Sequence, residues 1–429
     1  SIDDLPNSLK KLHLSKNFNQ SLNNLPHELE FLSFDNQSIF NNNATNLPSS
    51  LRYLMANFNL GTINRKIILP KNLELLSINL IDLKLIDNIP NNIKKLEINY
   101  YIPSKKYQII PFDKLPNSIE HLLLYNLLTI SNIPLFIKKI TLKPNYYALD
   151  ESICFLEKMN HITHLTLDNF NGSINNLPES LEYLKLGDCF NRPINNLSKL
   201  SGSLKCLIIG SLFNYPVDDL PESLEILQLN KSFDQFINKL PDLINLSVVG
   251  KFNKSIENFP KTLRYLKLGG YFNQSIDLLK TFNNLTHLYL FGFFNQSLDN
   301  LPNNLTHLKL SDGFRNSIDN LPNNLVYLEL GMKFNININN LPESINYITI
   351  CLLEKTNLFL PKHQNLIKKI KYNEYIDHTI MPKSIECLYL FNSENLDKIS
   401  KNIKYLELSS INYSFIDWVP EHIEKIFIC

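Results

Sequence analysis

The chain predicts a β-solenoid: a right-handed coil of about 21 turns, mostly β and irregular with little helix, carrying a parallel β-sheet on its concave face. Three observations predict it. A phrase of about 20 residues recurs, as in FNQSLDNLPNNLTHLKL at 294–310, FRNSIDNLPNNLVYLEL at 314–330 and FNININNLPESINYITI at 334–350. An L-x-L pair or its conservative variant marks every copy. Pro stands in most copies, and Ala occurs only at 44, 56 and 148, which disfavours a helical repeat. A unit this short cannot bury its own apolar face and must stack on its neighbours.

The strand comes first. The pairs run from Leu12/Leu14 to Ile426/Ile428, 21 in all, at spacings of 18–26 residues. Alternation over four or five residues buries one face of a strand. One strand per turn, always in the same direction, makes the sheet parallel. The return path carries F-N-x-S-I-x-N-L-P. Pro fixes φ and pushes the residue before it to extended geometry, so turns, short extended pieces and single 3₁₀ turns are expected there. Phe170, Phe190, Phe213, Phe233, Phe252, Phe272, Phe294, Phe314 and Phe334 occur once per turn and should stack as an internal column. Asn follows most of them, at 171, 191, 214, 253, 273, 295 and 335, and suits hydrogen bonding to the turn backbone of its own and the adjacent repeat. The Leu-Pro step at Pro178, Pro221, Pro241, Pro260, Pro302, Pro322 and Pro342 supplies a further corner.

Residues 1–429 read as one solenoid, with repeats over 1–60, degenerate repeats over 61–160, regular repeats over 161–350 and degenerate repeats over 351–429. Ser1 is not a start methionine, and SIDDLP reads as the second half of a repeat, so further sequence is expected upstream. No polar capping repeat follows Ile428. Both ends are therefore expected to be covered by a partner or by further chain.

The bulk numbers narrow the function classes. Net charge is +1 and 19% of residues are charged, so no field of one sign points to nucleic acid or an anionic membrane. Hydrophobic residues make up 44%, ample for a continuous core. Dominance of Asn, Ile, Leu, Lys, Phe and Tyr is what AT-rich codons produce. Cys154, Cys189, Cys206, Cys351, Cys387 and Cys429 form no CxxC pair and fall in different repeats. They read as reduced thiols of an intracellular protein, in a reducing compartment. No apolar run reaches the ~18 residues of a membrane span, and no signal peptide is visible. Sequons such as Asn273-Gln-Ser275 are generated by the repeat phrase itself. A phosphate-binding glycine loop, an HExxH and a nucleophile elbow are absent. The expectation is a non-enzyme with no cofactor.

The L-x-x-L-x-L strand with a downstream Asn resembles leucine-rich repeats, so the expected solenoid is leucine-rich-repeat-like. FNGSINNLPESLEYLKLG at 170–187 and FNRPI at 190–194 resemble the FNIP repeat family. That resemblance covers nine or so consecutive repeats closely and the rest of the chain loosely. It implies an amoebal or giant-virus origin. Family members often carry an N-terminal F-box, which implies the substrate-recognition part of a ubiquitin-ligase adaptor. No F-box-like helical segment is legible in this chain. The other expected role is a structural or assembly scaffold, such as a virus particle component, with no link to ubiquitin.

Residues flanking the L-x-L leucines face outward on the sheet. Those expected to form a concave protein-binding face are His164, Tyr183, Lys185, Tyr265, Lys267, His287, Tyr289, His307, Lys309, Tyr327, Glu329 and Tyr347. Aromatics beside Lys suit a protein interface. The other reading is that Tyr and Thr simply stack along the sheet as good strand formers. His287 and His307 share a column one repeat apart, but a metal would need a third ligand. Lys309 and Glu329 read as a cross-strand ion pair.

Overall fold

The computed structural model describes residues 2, 5–35, 38–59, 68–80, 88–100, 112–125, 133–143, 153, 156–200, 202–331, 341–352, 367–372, 386–390, 401–408 and 421–428. Phe334 and Asn335 of the expected columns lie outside these residues, as do Cys154 and Cys429. The chain divides into two compact units, Ser1–Gly210 and Ser211–Cys429.

The first unit holds ten strands: β1 Lys11–Leu14, β2 Phe31–Phe34, β3 Tyr53–Asn59, β4 Leu75–Leu80, β5 Lys95–Tyr100, β6 His121–Tyr125, β7 Lys139–Lys143, β8 His164–Leu167, β9 Tyr183–Leu186 and β10 Cys206–Ile209. The second holds eleven: β11 Ile226–Leu229, β12 Asn245–Val248, β13 Tyr265–Leu268, β14 His287–Leu290, β15 His307–Leu310, β16 Tyr327–Leu330, β17 Tyr347–Leu352, β18 Ile367–Tyr372, β19 Cys387–Leu390, β20 Tyr405–Leu408 and β21 Lys425–Ile428. Within each unit every strand pairs in parallel with the next one in sequence. Each L-x-L pair lies inside a strand. The register sets leucine on leucine, Leu266 against Leu288 and Leu268 against Leu290, so the inward residues form apolar rows.

The return path is built as its residues require. The Leu-Pro corner is a hydrogen-bonded turn in which the Pro carbonyl accepts the N–H three residues on, as from Leu305 to Pro302 at 3.1 Å and from Leu325 to Pro322 at 3.0 Å. Pro lacks an N–H but keeps its acceptor, so it opens such a turn without loss. Short 3₁₀ turns replace the turn-and-extended path at Phe112–Lys114, Asn195–Leu200 and Asp277–Thr281.

The Phe column is continuous from Phe213 to Phe314. Successive rings stack at centroid separations of 6.2, 6.0, 6.1, 6.1 and 6.2 Å, with planes within 24° of parallel. All are fully buried. Strands in a sheet lie only about 4.8 Å apart. Each turn is therefore a wedge, thicker at Phe than at the strand. Over this stretch the strand side is the concave one.

Asn follows Phe because its side chain bridges turns. The Oδ1 of Asn253 accepts the Asn273 N–H at 2.9 Å and the Gln274 side-chain amide at 3.0 Å. Asn273 does the same for Asn295 and Gln296, at 2.8 and 3.1 Å. In the first unit Asn171 accepts the Asn191 N–H at 2.7 Å. A second ladder sits two residues after the Pro. Thr262 donates to the Leu243 carbonyl at 2.8 Å, and Ser344 to that of Leu325 at 2.6 Å. The sequon residues Asn253, Asn273 and Asn295 are thus occupied as ladder acceptors.

Candidate functional site

The twelve expected face residues separate into two groups. His164, Tyr183 and Lys185 lie on β8 and β9 in the first unit. The His164 and Tyr183 rings stack at 5.6 Å, and Lys185 shares register with Thr166 and Ile208. The other nine lie on β13 to β17 in the second unit.

There the first outward position of each strand carries an aromatic ring. Parallel pairing puts these rings one strand apart, and they form an unbroken column. Tyr265 stacks on His287 at 6.2 Å, His287 on His307 at 4.1 Å, His307 on Tyr327 at 5.6 Å and Tyr327 on Tyr347 at 4.9 Å. The histidine rings are within 9° of parallel. The last three spacings are shorter than those of the Phe column, as the wedge requires of rings on the concave side.

The third position of each strand runs Ser247, Lys267, Tyr289, Lys309, Glu329 and Thr349. Tyr289 stands edge-on to Tyr265 at 5.0 Å and to His287 at 6.4 Å. Lys309 pairs with Glu329 at 2.8 Å. Glu329 also accepts the Tyr327 hydroxyl at 3.0 Å. The Tyr327 phenol is held well above the ordinary tyrosine range by burial, then by the adjacent Glu329 charge, so it donates at all ordinary pH values.

The tautomer of the histidine pair follows from its neighbours. The Thr286 hydroxyl donates to the Arg264 carbonyl at 3.1 Å, and that of Thr306 to the Thr286 carbonyl at 3.0 Å. Each hydroxyl has one proton, already used. Each must therefore accept from the imidazole Nδ1 beside it, 2.9 Å away in both cases. Both rings carry the proton on Nδ1 and leave Nε2 as an acceptor. Burial lowers the affinity of both for a second proton, and at His287 the neighbouring His307 adds to it.

Sequence reasoning passed over three aromatics beside this column. Phe291 follows β14 directly, and Tyr271 and Phe293 occupy the turns after β13 and β14. The rings of Tyr271 and Phe293 lie 5.5 Å apart, with residue exposures of 60% and 64%. The ammonium groups of Lys267 and Lys309 approach the Phe291 ring at 5.0 and 5.5 Å. The run FGFF at 291–294 was the available signal, since only its last Phe belongs to the buried column.

Glycine lets these turns approach one another. Gly270 and Gly292 have φ of +68° and +69°, and a Cβ on either would fall within 2.1 Å of the preceding turn's glycine carbonyl oxygen. Those carbonyls accept the next turn's N–H groups, from Tyr271 at 2.7 Å and from Phe293 at 2.9 Å.

Among the described residues no group of three or more His, Cys, Asp or Glu could hold a metal ion. No described helix is long and apolar enough to cross a membrane. Cys189 and Cys206 are free thiols.

The FNIP Repeat family model matches residues 1–37 and 294–333. Among solved structures the chain is similar to CroV588 of the giant virus CroV, a novel circular leucine-rich-repeat protein. That likeness has 28% identity and a TM-score of 0.51, covering 99% of this chain and 73% of that one. It is also similar to an internalin, InlF, from Listeria monocytogenes, at 16% identity and a TM-score of 0.44, covering 69% of this chain and 88% of that one. No curated protein matches it. Parallel strand ladder and solved likeness agree: the chain is a parallel solenoid of the leucine-rich-repeat kind, with matches to the FNIP Repeat at residues 1–37 and 294–333.

Proposed function

We propose that the chain is a non-catalytic protein-binding solenoid whose partner docks on the outward face of β13 to β17. The observation that carries this reading is the unbroken Tyr265–His287–His307–Tyr327–Tyr347 ring column, bordered by Tyr289 and by exposed Tyr271 and Phe293. Interfaces take much of their energy from aromatic anchors of this kind. Framework residues of the repeat are committed to the core, the turns or the ladders, which leaves the outward positions to carry specificity. His164, Tyr183 and Lys185 form a smaller face of the same kind.

At finer grain, the resemblance to FNIP proteins supports the substrate-recognition part of an F-box ubiquitin-ligase adaptor, acting inside a host cell. A structural or assembly scaffold is the second reading, favoured by the likeness to a giant-virus solenoid. The face is tested by a triple variant, Tyr265→Ala, His287→Ala and Tyr289→Ala, with cross-linking to map where partners attach. Cross-links concentrated on β13–β17 and lost in the folded variant support it. Unchanged partner binding removes it. Co-purification of a cullin separates the adaptor from the scaffold.

A further inference from the structure

We infer that the second unit's face selects protein segments bearing a carboxylate beside an apolar side chain, with Lys267 as the anchoring cation. The inference rests on the protein-binding reading above and specifies the partner's chemistry.

The charge pattern of the face is the starting point. On β11 and β12 the outward positions are Ile226, Gln228, Asn245 and Ser247, with no charge among them. On β13 to β17 the charged outward residues are Lys267, Lys309 and Glu329. Lys309 is neutralised by Glu329 at 2.8 Å. Among the described residues no carboxylate forms an ion pair with Lys267. Its neighbours in register are Ser247 and Tyr289. The face therefore carries one uncompensated positive charge at a known place.

That place has a defined shape. The Lys267 ammonium lies 5.0 Å from the centroid of Phe291, and the Lys309 ammonium approaches the same ring at 5.5 Å. The uncompensated Lys267 ammonium over this ring makes a carboxylate beside it electrostatically welcome. Cation–π attraction holds the lysine heads over the ring and limits the rotamer freedom lost when an acid binds. Tyr271 and Phe293, exposed in the turns after β13 and β14, add apolar surface at the ends of these strands. A partner with an acidic residue adjacent to an apolar one would satisfy both features at once. A basic partner would meet Lys267 unshielded.

The test pans the full chain against a displayed library of random 12-residue peptides. Selected peptides are then measured by fluorescence anisotropy against the wild type, Lys267→Gln, Lys267→Arg and the triple aromatic variant. The expected result is enrichment of Asp or Glu next to an apolar residue. Affinity should fall about tenfold or more in Lys267→Gln, persist in Lys267→Arg and weaken with added salt. Neutral or basic selected peptides, or binding indifferent to Lys267→Gln, overturn the inference. Loss in the aromatic variant without loss in Lys267→Gln overturns it while the binding face stands. Indifference to both, or no selected peptide at all, overturns the inference and the face together. Lys267 is partly exposed, so unchanged circular dichroism and thermal midpoint serve as the folding control.

Discussion

The strands of residues 75–143 and those of residues 164–330 are built on the same L-x-L pair but end differently. In the second stretch β8 to β16 are all four residues long. Most are closed by a turn former such as Asn169 at φ 53° or the glycines at 250, 270 and 292. In the first stretch no glycine stands at the strand end, and β4 to β7 run to five or six residues. The extra length is paired, with Asn79 on Asn99 and Leu80 on Tyr100. Where the Phe-Asn phrase is lost, the ladder takes over residues that otherwise enter a turn. The strand and the Pro turn are thus the minimum that propagates the coil. Pro116 and Pro134 still open hydrogen-bonded turns within the degenerate stretch. Phe and Asn are additions that thicken the far side and bind turn to turn.

The largest test of that division is Phe252→Ala. Its ring is fully buried and stacked on both Phe233 and Phe272. Removing it should cost about 3–5 kcal/mol. In a linear repeat array the damage should centre on neighbouring turns. Chemical denaturation gives the size, and hydrogen exchange gives the extent. A cost under about 1 kcal/mol would mean that strands and Pro turns suffice in the regular repeats too, and would erase the distinction from residues 75–143.

Gly270→Ala probes the kind of strand-end turn that residues 164–330 have and residues 75–143 lack. The residue sits at φ +68° with the Gly250 oxygen 2.1 Å from where a Cβ would fall. A loss of roughly 2 kcal/mol is expected from the backbone conformation and the clash together. Gly202→Ala is the control, because nothing lies within 4 Å of its Cβ position. Equal thermal midpoints for the two variants would show that the turn relaxes freely and that glycine there is incidental.

These comparisons also show what could be read before the structure. Leu266, Phe252, Asn253 and Pro302 each recur at one register, and recurrence alone assigned them to strand, column, ladder and corner. The outward columns followed from alternation, including the meeting of His287 with His307. The Thr286 and Thr306 ladder was not legible, because its meaning depends on a carbonyl one repeat away. Phe291 and Tyr271 were missed for a related reason. A non-recurring aromatic carries no repeat signal, and only the curvature of the turn decides whether it is buried like Phe294 or exposed like Phe293. Gly270 was hidden because its partner is another backbone, which a sequence pattern does not display.

The smallest expected effects distinguish the histidines of the two units. His121 on β6 is held down to about 4, by burial first and then by the charges of Lys95 and Lys139. Its Nε2 lies 3.0 Å from the Thr141 hydroxyl. The unfolded chain takes up this proton near pH 6.5, well before the folded one, so folding is favoured more strongly as pH rises through that window. The contribution is complete above about pH 6.5 and is lost as pH falls toward 4. After allowance for partial exposure it amounts to roughly 1–2 kcal/mol. His121→Gln should flatten acid denaturation by that amount, and an unchanged acid limb would refute the assignment. In the second unit a nitrogen-15 titration should find His287 and His307 as Nδ1–H tautomers at neutral pH, taking a second proton only below the ordinary histidine range. Free imidazole side chains favour the opposite tautomer, so the result cannot arise by default. Finding Nε2–H on both would mean that Thr286 and Thr306 do not donate to the neighbouring turn. The ring column would then present donors to its partner, where this geometry presents acceptors.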